Sequence, residues 1–227
     1  MKKIIFGVFA HPDDEAFGPA GTFMKEIDAG AEVQLVSFTL GEAGCNPDNI
    51  ADLADHREKE WRESCRLIGA SKQHYLGYKD GQLNNDSMIT AGEKIVKLVR
   101  SELASGDYNE VEFVTIDLGG VTGHIDHIVA ARATCWAYYT LKKHDYRIKR
   151  VRLACLSRTE APELNVDWIY MQPGYGAAEI DETVDARAYR ERIVDVMHAH
   201  HSQRADCEQH LRSSSENIGL NYFRIVE

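Results

Sequence analysis

Hydrophobic residues along the chain follow two patterns, short continuous runs and stretches with helical spacing. Residues 4–10 form an unbroken apolar run, which is typical of a strand buried on both faces. Residues 15–29 place apolar side chains three and four positions apart, which predicts a helix that ends at Gly30. A strand over 32–39 and a helix over 52–68 repeat this unit. The first third of the chain therefore consists of strand–helix pairs.

The same alternation continues through the middle of the chain and weakens after residue 157. Further strands and helices are predicted at 74–77, 91–103, 111–116, from about His124 onward, and at 149–156, followed less clearly by 167–171, 186–209 and 221–226. Strands that alternate with helices indicate right-handed βαβ units and helices on both faces of a sheet. We predict a single-domain α/β protein over residues 1–227, with a Rossmann-like three-layer fold and a mostly parallel sheet.

Three loops that follow predicted strands carry most of the reactive side chains. They are His11-Pro12-Asp13-Asp14-Glu15 after the first strand, residues 39–44 after the second, and residues 119–127 after the fourth. In open α/β sheets, ligands bind in the crevice beyond the carboxyl ends of the strands. We therefore expect the functional site to lie where these loops meet.

The first and third of these loops together offer ligands for a metal ion. His11, Asp14 and His127 would form a set of two histidines and one carboxylate, which suits a catalytic Zn²⁺ with one position left for water. Iron, cobalt or manganese could use the same ligands. Alternatively, each aspartate only caps a helix and the histidines bond only to the backbone. Two adjacent acids beside a histidine favour the cation, because like charges repel unless a cation or a proton relieves them.

Asp13 and His124 then remain for proton transfer and charge stabilisation. Asp13 cannot point the same way as Asp14, and we expect it to accept a proton from the attacking water. His124 would lie opposite and, when protonated, would stabilise an oxyanion or protonate a departing amine. A hydrogen bond from the ring of His124 to the carboxylate of Asp126 would raise the basicity of His124, but it requires an irregular start to the helix.

The composition argues against some classes of binding partner and indicates a cellular compartment. With 26 basic and 36 acidic residues the formal charge is −10, which argues against binding to nucleic acid or to an anionic membrane surface. The apolar run at the amino terminus is too short for an export signal, and no segment approaches the ~20 apolar residues of a membrane span. The five cysteines include no C-x-x-C pair, so we expect reduced thiols in a cytoplasmic protein.

Two segments resemble the signature motifs of the LmbE-like, or PIG-L, zinc-dependent N-deacetylases. They are Ala10-His11-Pro12-Asp13-Asp14-Glu15 and Gly123-His124-Ile125-Asp126-His127, in which Ile125 stands where the family commonly has proline. The resemblance implies that zinc is bound by three residues, His11, Asp14 and His127. It also implies that Asp13 is the general base and that His124, oriented by Asp126, acts on the transition state or the leaving amine.

Weaker similarities extend this resemblance to about residue 205. Residues 39–44 are similar to the family's Gly-rich loop, 57–69 to its next helix, 78–81 to an Asp-Gly turn, and 199–203 to a late His-x-Ser-Gln element. The arginine of that helix contacts substrate in the family, so the resemblance implies a substrate-binding role for Arg57. The late element adds His200 as a second candidate of this kind.

The resemblance implies a hydrolase that removes an acetyl group from the nitrogen of a GlcNAc-type amino sugar or its conjugate. The expected partner is that small molecule, with no nucleic acid and no membrane. Whether the protein forms a homo-oligomer is left open. One alternative is an enzyme of the same family that acts on a different N-acyl substrate. A Mg²⁺-binding phosphoacceptor domain would leave His11, His124 and His127 without a role. A dinucleotide-binding protein would need a Gly-x-Gly-x-x-Gly turn after the first strand, which this chain lacks.

Overall fold

Seven strands form one sheet in the computed structural model, which describes residues 2–144, 146–159, 172–213 and 216–227. The strands are β1 (Lys3–Phe9), β2 (Glu32–Ser37), β3 (Lys72–Tyr75), β4 (Glu110–Ile116), β5 (Ile148–Cys155), β6 (Glu182–Asp185) and β7 (Leu220–Val226). Their order across the sheet is β3-β2-β1-β4-β5-β7-β6. The first five strands pair in parallel, whereas β7 is antiparallel to both β5 and β6. The predicted α/β fold with a mostly parallel sheet is confirmed.

The helices connect these strands and cover both faces of the sheet. They are α1 (Asp14–Phe17), α2 (Ala20–Asp28), α3 (Leu53–Ile68), α4 (Asn85–Ser105), α5 (Gly120–Gly123), α6 (Ile125–Lys143), α7 (Arg190–Ala199) and α8 (Arg204–Ser213). None of the described helices is both long enough and apolar enough to cross a membrane.

Two apolar cores lie on opposite faces of the sheet, and β1 contributes to both. Ile4, Phe6 and Val8 belong to the core that includes residues of α4 and α6. Ile5 and Phe9 belong to the other core, which includes residues of α2, α3 and α7. Successive side chains of a strand point to opposite faces, so an unbroken apolar run is what a strand between two helical layers requires. The predicted three layers are therefore present.

The strand order places a topological switch point between β1 and β4. From β1 the chain moves outward to β2 and β3, and it then returns through α4 to pair β4 with the other edge of β1. The carboxyl ends of β1 and β4 consequently lie side by side. The loops 10–14 and 117–124 leave the sheet at this point, where ligands of open α/β sheets usually bind.

Two helices predicted as continuous are each divided in the structure. The helix expected over 15–29 is broken into α1 and α2 at Gly18 and Pro19, because proline lacks an N–H group and disfavours a helical residue before it. The helix expected over 186–209 is broken between α7 and α8 by a 3₁₀ turn, His201–Gln203.

Contacts with α3 account for the second break. The carboxylate of Glu60 accepts hydrogen bonds from the backbone N–H and the hydroxyl of Ser202, at 2.7 and 2.6 Å.

Strand β6 is not predicted by the sequence pattern, because four residues are too few to show a period. The strand expected over 167–171 lies outside the described residues.

A buried ion network ties β1, β4 and β5 together. Glu112 on β4 is fully buried, and its carboxylate lies 3.1 Å from Lys3 Nζ, 3.2 Å from Arg150 Nε and 3.5 Å from Arg152 Nη1. Burial alone would raise the pKa of Glu112, but Arg152, Lys3 and Arg150 outweigh it and lower that pKa. The ionised carboxylate therefore stabilises the strands that carry the loops of the switch point.

Replacing Glu112 with glutamine is expected to lower the free energy of unfolding by about 3 kcal/mol at pH 7, because the change leaves buried cations without their partner. A depressed pKa contributes stability above the unfolded-state value, so the difference from wild type should shrink as the pH falls below about 4. Urea unfolding at several pH values measures both effects. Glu110→Gln, a half-exposed neighbour on the same strand, should cost less than about 1 kcal/mol, and equal costs would contradict the assignment.

Candidate metal and catalytic site

Three of the residues singled out from the sequence meet at the carboxyl ends of β1 and β4. His11 follows β1, Asp14 begins α1, and His127 lies in the first turn of α6. The Nδ1 atom of His11 lies 3.1 Å from Nε2 of His127. One oxygen of Asp14 lies 3.2 Å from that Nε2 atom, and the other lies 3.9 Å from Nδ1 of His11. The two segments that supply these groups are more than a hundred residues apart in the chain.

The outer nitrogen of each imidazole is held by an acceptor. Nδ1 of His127 donates to the carbonyl oxygen of Gly120 at 3.0 Å, so Nε2 carries the lone pair when the ring is neutral. Nε2 of His11 lies 2.8 Å from a carboxylate oxygen of Asp80 and 3.4 Å from one of Asp126. The inner Nδ1 atom of His11 is therefore also a lone-pair atom in the neutral ring.

This donor set fits a cation. Nδ1 of His11 and an oxygen of Asp14 each lie within 3.2 Å of Nε2 of His127, and such acceptors repel unless a metal ion or a proton lies among them. Burial disfavours a charged His11, but the carboxylates of Asp126 and Asp80 outweigh burial and raise the pKa of His11 to about 10. A proton can thus occupy the cluster, and a bound metal would have to displace it.

His11 belongs to two further groups that could hold a metal ion. Nitrogen atoms of His11, His124 and His127 lie within 4.8 Å of one another, and so do ligand atoms of His11, Asp80 and Asp126. The group with Asp80 and Asp126 surrounds the outer nitrogen of His11, on the side of the ring away from His127.

Asp13 is held apart from its neighbour Asp14. Its backbone adopts a left-handed conformation, with φ 103° and ψ −29°, and its carboxylate accepts a hydrogen bond from Arg57 Nη2 at 2.9 Å. Burial raises the pKa of Asp13 to about 6, Asp14 adds to this effect, and Arg57 opposes it. The carboxylate of Asp13 is therefore a stronger base than an exposed aspartate.

Arg57 is buried beneath this loop. Its guanidinium also donates to the carbonyl oxygens of Pro12 and of Gly41, the latter at 2.8 Å. The resemblance implied contact between Arg57 and substrate, which stays a prediction. The contacts described here bind Arg57 to Asp13 and to two loops of the protein.

His124 is the N-cap of α6, and its geometry differs from the sequence expectation. Its Nδ1 atom accepts a hydrogen bond from the backbone N–H of Asp126 at 3.1 Å. The carboxylate of Asp126 accepts from the backbone N–H groups of Gly81 and Leu83, at 2.8 and 3.2 Å, and faces His11. The expected irregular start to the helix is present, since His124 is extended, but its described bond to residue 126 uses the backbone.

The expected rise in the basicity of His124 is wrong for this arrangement. Burial lowers the pKa of His124, and the imidazoles of His11 and His127, with ring centroids 5.0 and 5.1 Å away, lower it further. The charge of Asp126 opposes these effects without outweighing them. A neutral His124 whose Nδ1 accepts a hydrogen bond carries its proton on Nε2. The ring is therefore a hydrogen-bond donor without being charged.

His200 lies behind the site and is fully buried. Its Nε2 atom lies 2.8 Å from Oε1 of Glu15, the last residue of the first motif. Burial disfavours the charged ring, but the carboxylate of Glu15 outweighs burial and raises the pKa of His200. Substrate binding by His200 stays a prediction, and its described contact is with Glu15.

Asp80 and Glu15 are the site residues that sequence reasoning did not assign. Besides its contact with His11, the carboxylate of Asp80 accepts a hydrogen bond from the backbone N–H of Ala43 at 2.9 Å. The Asp-Gly turn that contains Asp80 was visible in the sequence as a turn signal. That signal concerns the backbone and says nothing about where the carboxylate lies.

A cavity of about 370 Å³ adjoins Asp14 and His127. It lies between α1, α7, α8 and the strands β5 and β7, and its wall is mostly apolar. The apolar part of this wall comprises Phe17, Pro19, Ile116, Val121, Ala154, Cys155, Leu156, Ile193, Met197, Ile218 and Leu220.

The chain is similar in sequence to several curated deacetylases. It is 32% identical over 148 residues to the 1D-myo-inositol 2-acetamido-2-deoxy-alpha-D-glucopyranoside deacetylase 2 of Saccharopolyspora erythraea, an alignment that covers 57% of the chain and 54% of the relative. The chain thus spans about half the length of that relative. It is 27% identical to the corresponding deacetylase of Thermomonospora curvata, covering 98% of the chain and 88% of the relative.

The fold is similar to that of a solved deacetylase. The N,N'-diacetylchitobiose deacetylase of Pyrococcus horikoshii superposes with a TM-score of 0.68 at 20% identity, covering 99% of this chain and 83% of that one. The sequence model of the PIG-L family, described as GlcNAc-PI de-N-acetylase, matches residues 6–138, the segment that carries both motifs. The chain therefore belongs to the PIG-L family, as its motifs predicted.

Proposed function

We propose that the protein is a metal-dependent hydrolase that removes the acetyl group from the nitrogen of a GlcNAc-type amino sugar or its conjugate. The observation that carries this proposal is the convergence of His11 Nδ1, His127 Nε2 and the Asp14 carboxylate beside a separate buried acid, Asp13. Membership of the PIG-L family and the names of the relatives support the reaction and the substrate class.

His11, Asp14 and His127 are the residues that would hold the metal ion, Zn²⁺ or another divalent transition metal. Such an ion, when bound, supplies Lewis-acid polarisation of the amide carbonyl and an acidified water. The hydrogen bond of His127 to Gly120 and the close contact of His11 with the Asp80 carboxylate orient the two imidazoles for this task, as acceptors behind metal-binding histidines commonly do.

Asp13 acts as the general base in this mechanism. The bond from Arg57 holds one oxygen of its carboxylate, and we assign to this carboxylate the acceptance of a proton from water. Burial disfavours the anion and so increases its affinity for that proton. The accepted proton is then available for the departing amine.

His124 stabilises negative charge on the substrate oxygen. With Nδ1 occupied by the backbone N–H of Asp126, the neutral ring presents an Nε2–H donor. A ring nitrogen of His124 lies within 4.8 Å of nitrogens of His11 and His127, and an N–H donor held beside a reacting group stabilises developing oxyanion charge without reorganisation. This role replaces the protonated imidazole expected from the sequence.

We place the part of the substrate beyond the amide in the cavity beside Asp14 and His127. An acetyl group is much too small to fill about 370 Å³, and the wall is mostly apolar. A substrate that carries an apolar group on the sugar would match both the size and the chemistry of this cavity.

Asp13→Asn is expected to lower kcat for acetate release from N-acetylated sugars by about 100-fold or more, because it removes the proton acceptor. The variant should keep its metal, since the carboxylate of Asp13 faces Arg57. Metal analysis and an acetate-release assay measure the two quantities. Asp14→Asn is the matched comparison, and it should lose both metal and activity. Loss of metal from Asp13→Asn with retention in Asp14→Asn would contradict the assignment.

His127→Ala is expected to lower bound metal to well below one ion per chain after dialysis, because it removes one of three ligands. His198→Ala, which changes an exposed histidine on α7, serves as the control and should keep the wild-type metal content. If His127→Ala retained a full equivalent of metal, the ligand set proposed here would be wrong.

Octyl 2-acetamido-2-deoxyglucoside is expected to have a kcat/KM at least about tenfold higher than the methyl glycoside. Each buried methylene contributes about 0.8 kcal/mol to binding. Burial of a few methylenes of the octyl chain in the apolar cavity is therefore sufficient for the tenfold difference. Steady-state kinetics with both glycosides provide the measurement. Equal values would show that the cavity does not receive this part of the substrate.

A further inference from the structure

A buried carboxylate stands directly behind Asp13 and has no part in the mechanism above. Glu15 is 1% exposed, and three donors surround its carboxylate. The backbone N–H of Asp13 donates to Oε2 at 3.1 Å, whereas the hydroxyl of Ser64 and the Nε2 atom of His200 donate to Oε1 at 2.5 and 2.8 Å. These donors come from three distant parts of the chain and meet on one side chain.

The backbone of Asp13 explains why such support is needed. A residue other than glycine with φ near 100° is unfavourable and persists only where its surroundings hold it. The carbonyl oxygen of Asp13 accepts from the N–H groups of Ala16 and Phe17, at 2.8 and 3.0 Å, and its own N–H is bound by Glu15. Both ends of the strained peptide are thus fixed, one by α1 and the other by the Glu15 carboxylate.

His200 gives a second, independent indication. The ring is fully buried, and its Nδ1 atom has no hydrogen-bond partner among the described residues. Buried polar atoms are normally paired, and here the described hydrogen bond of the ring is made by its other nitrogen alone. That nitrogen contacts Glu15.

We propose that Glu15, held by His200 and Ser64, is a positioning residue that keeps Asp13 in the geometry of the general base. His200 then acts through Glu15 and not on the substrate. This inference rests on the function proposed above, and it deepens the role of the same site. It assigns a task to the glutamate that closes the first motif and to the histidine of the late His-x-Ser-Gln element.

The chemistry of the contacts makes glutamate difficult to replace. A carboxylate accepts on both oxygens, and here all the described partners are donors. Glutamine has one accepting oxygen and one donating NH₂ group, so either the N–H of Asp13 or the pair formed by Ser64 and His200 would face another donor. Glu15→Gln therefore disturbs the contact with little change in side-chain volume.

The test is a double-mutant cycle between Glu15 and Asp13. Glu15→Gln alone is expected to lower kcat at least about tenfold, with KM within about twofold of wild type and metal content unchanged. In the Asp13→Asn background the same change should lower kcat by less than about twofold, because the group being positioned is already absent. A residue that only supported the fold would reduce activity in both backgrounds alike.

Glu60→Gln is the matched control. Glu60 is also a buried glutamate that binds a serine, through the N–H and hydroxyl of Ser202, but its described contacts do not include Asp13. Its effect on kcat should be the same in the wild-type and Asp13→Asn backgrounds. His200→Asn should cause part of the loss seen in Glu15→Gln and add little to it in the double variant.

A crystal structure of Glu15→Gln supplies a measurement that does not depend on activity. We expect φ of Asp13 to leave the left-handed region or its carboxylate to leave Arg57. The positioning role would be overturned if Asp13 kept both its left-handed φ and its contact with Arg57. It would also be overturned by a kcat loss that persists fully in the Asp13→Asn background. Wild-type protein that releases no acetate from any N-acetylated sugar would instead refute the proposed function, and the crystal structure alone would then decide the role of Glu15.

Discussion

The close approach of two imidazole lone pairs across the switch point of the sheet is the constraint on which the site depends. His11 comes from the end of β1 and His127 from α6, and the pairing of β1 with β4 brings their inner nitrogens to 3.1 Å. The acceptors behind each ring, Gly120 and Asp80, fix the tautomers that make this contact unfavourable without a cation or a proton. The fold therefore holds these acceptors close together, and a cation or a proton among them relieves their repulsion.

A second set of contacts separates the two adjacent aspartates. Asp13 has a left-handed backbone and its carboxylate binds Arg57, whereas the carboxylate of Asp14 lies beside His127. Arg57 from α3 and Glu15 from α1 hold that conformation, and His200 after α7 holds Glu15. Asp13 is thus held by residues from the first 60 positions of the chain and, through Glu15, by a residue near its end.

The fold alone does not specify the reaction. Open α/β sheets with a switch point accommodate many chemistries, and a TM-score of 0.68 at 20% identity concerns the arrangement of strands and helices. What distinguishes this chain is the local set of side chains, together with an apolar cavity that adjoins two of them. One side of this cavity is formed by α7, α8 and β7, which belong to the part of the chain with the weakest sequence pattern, so no motif identifies that side.

The sequence by itself determined the layers, the parallel strands and the two motifs, because these depend on local hydrophobic period and on residue types that follow strands. It did not determine the break at His201–Gln203, the antiparallel edge formed by β6 and β7, or the contacts of Asp80 and Glu15. The lowered pKa of His124 also depended on the folded structure, since burial and the imidazole of the distant His11 contribute to it and outweigh the adjacent Asp126. Hydrogen bonds and charge interactions between residues far apart in the chain exist only once the chain has folded, so tertiary structure alone decided which groups surround Asp13 and Glu15 and what holds each in place.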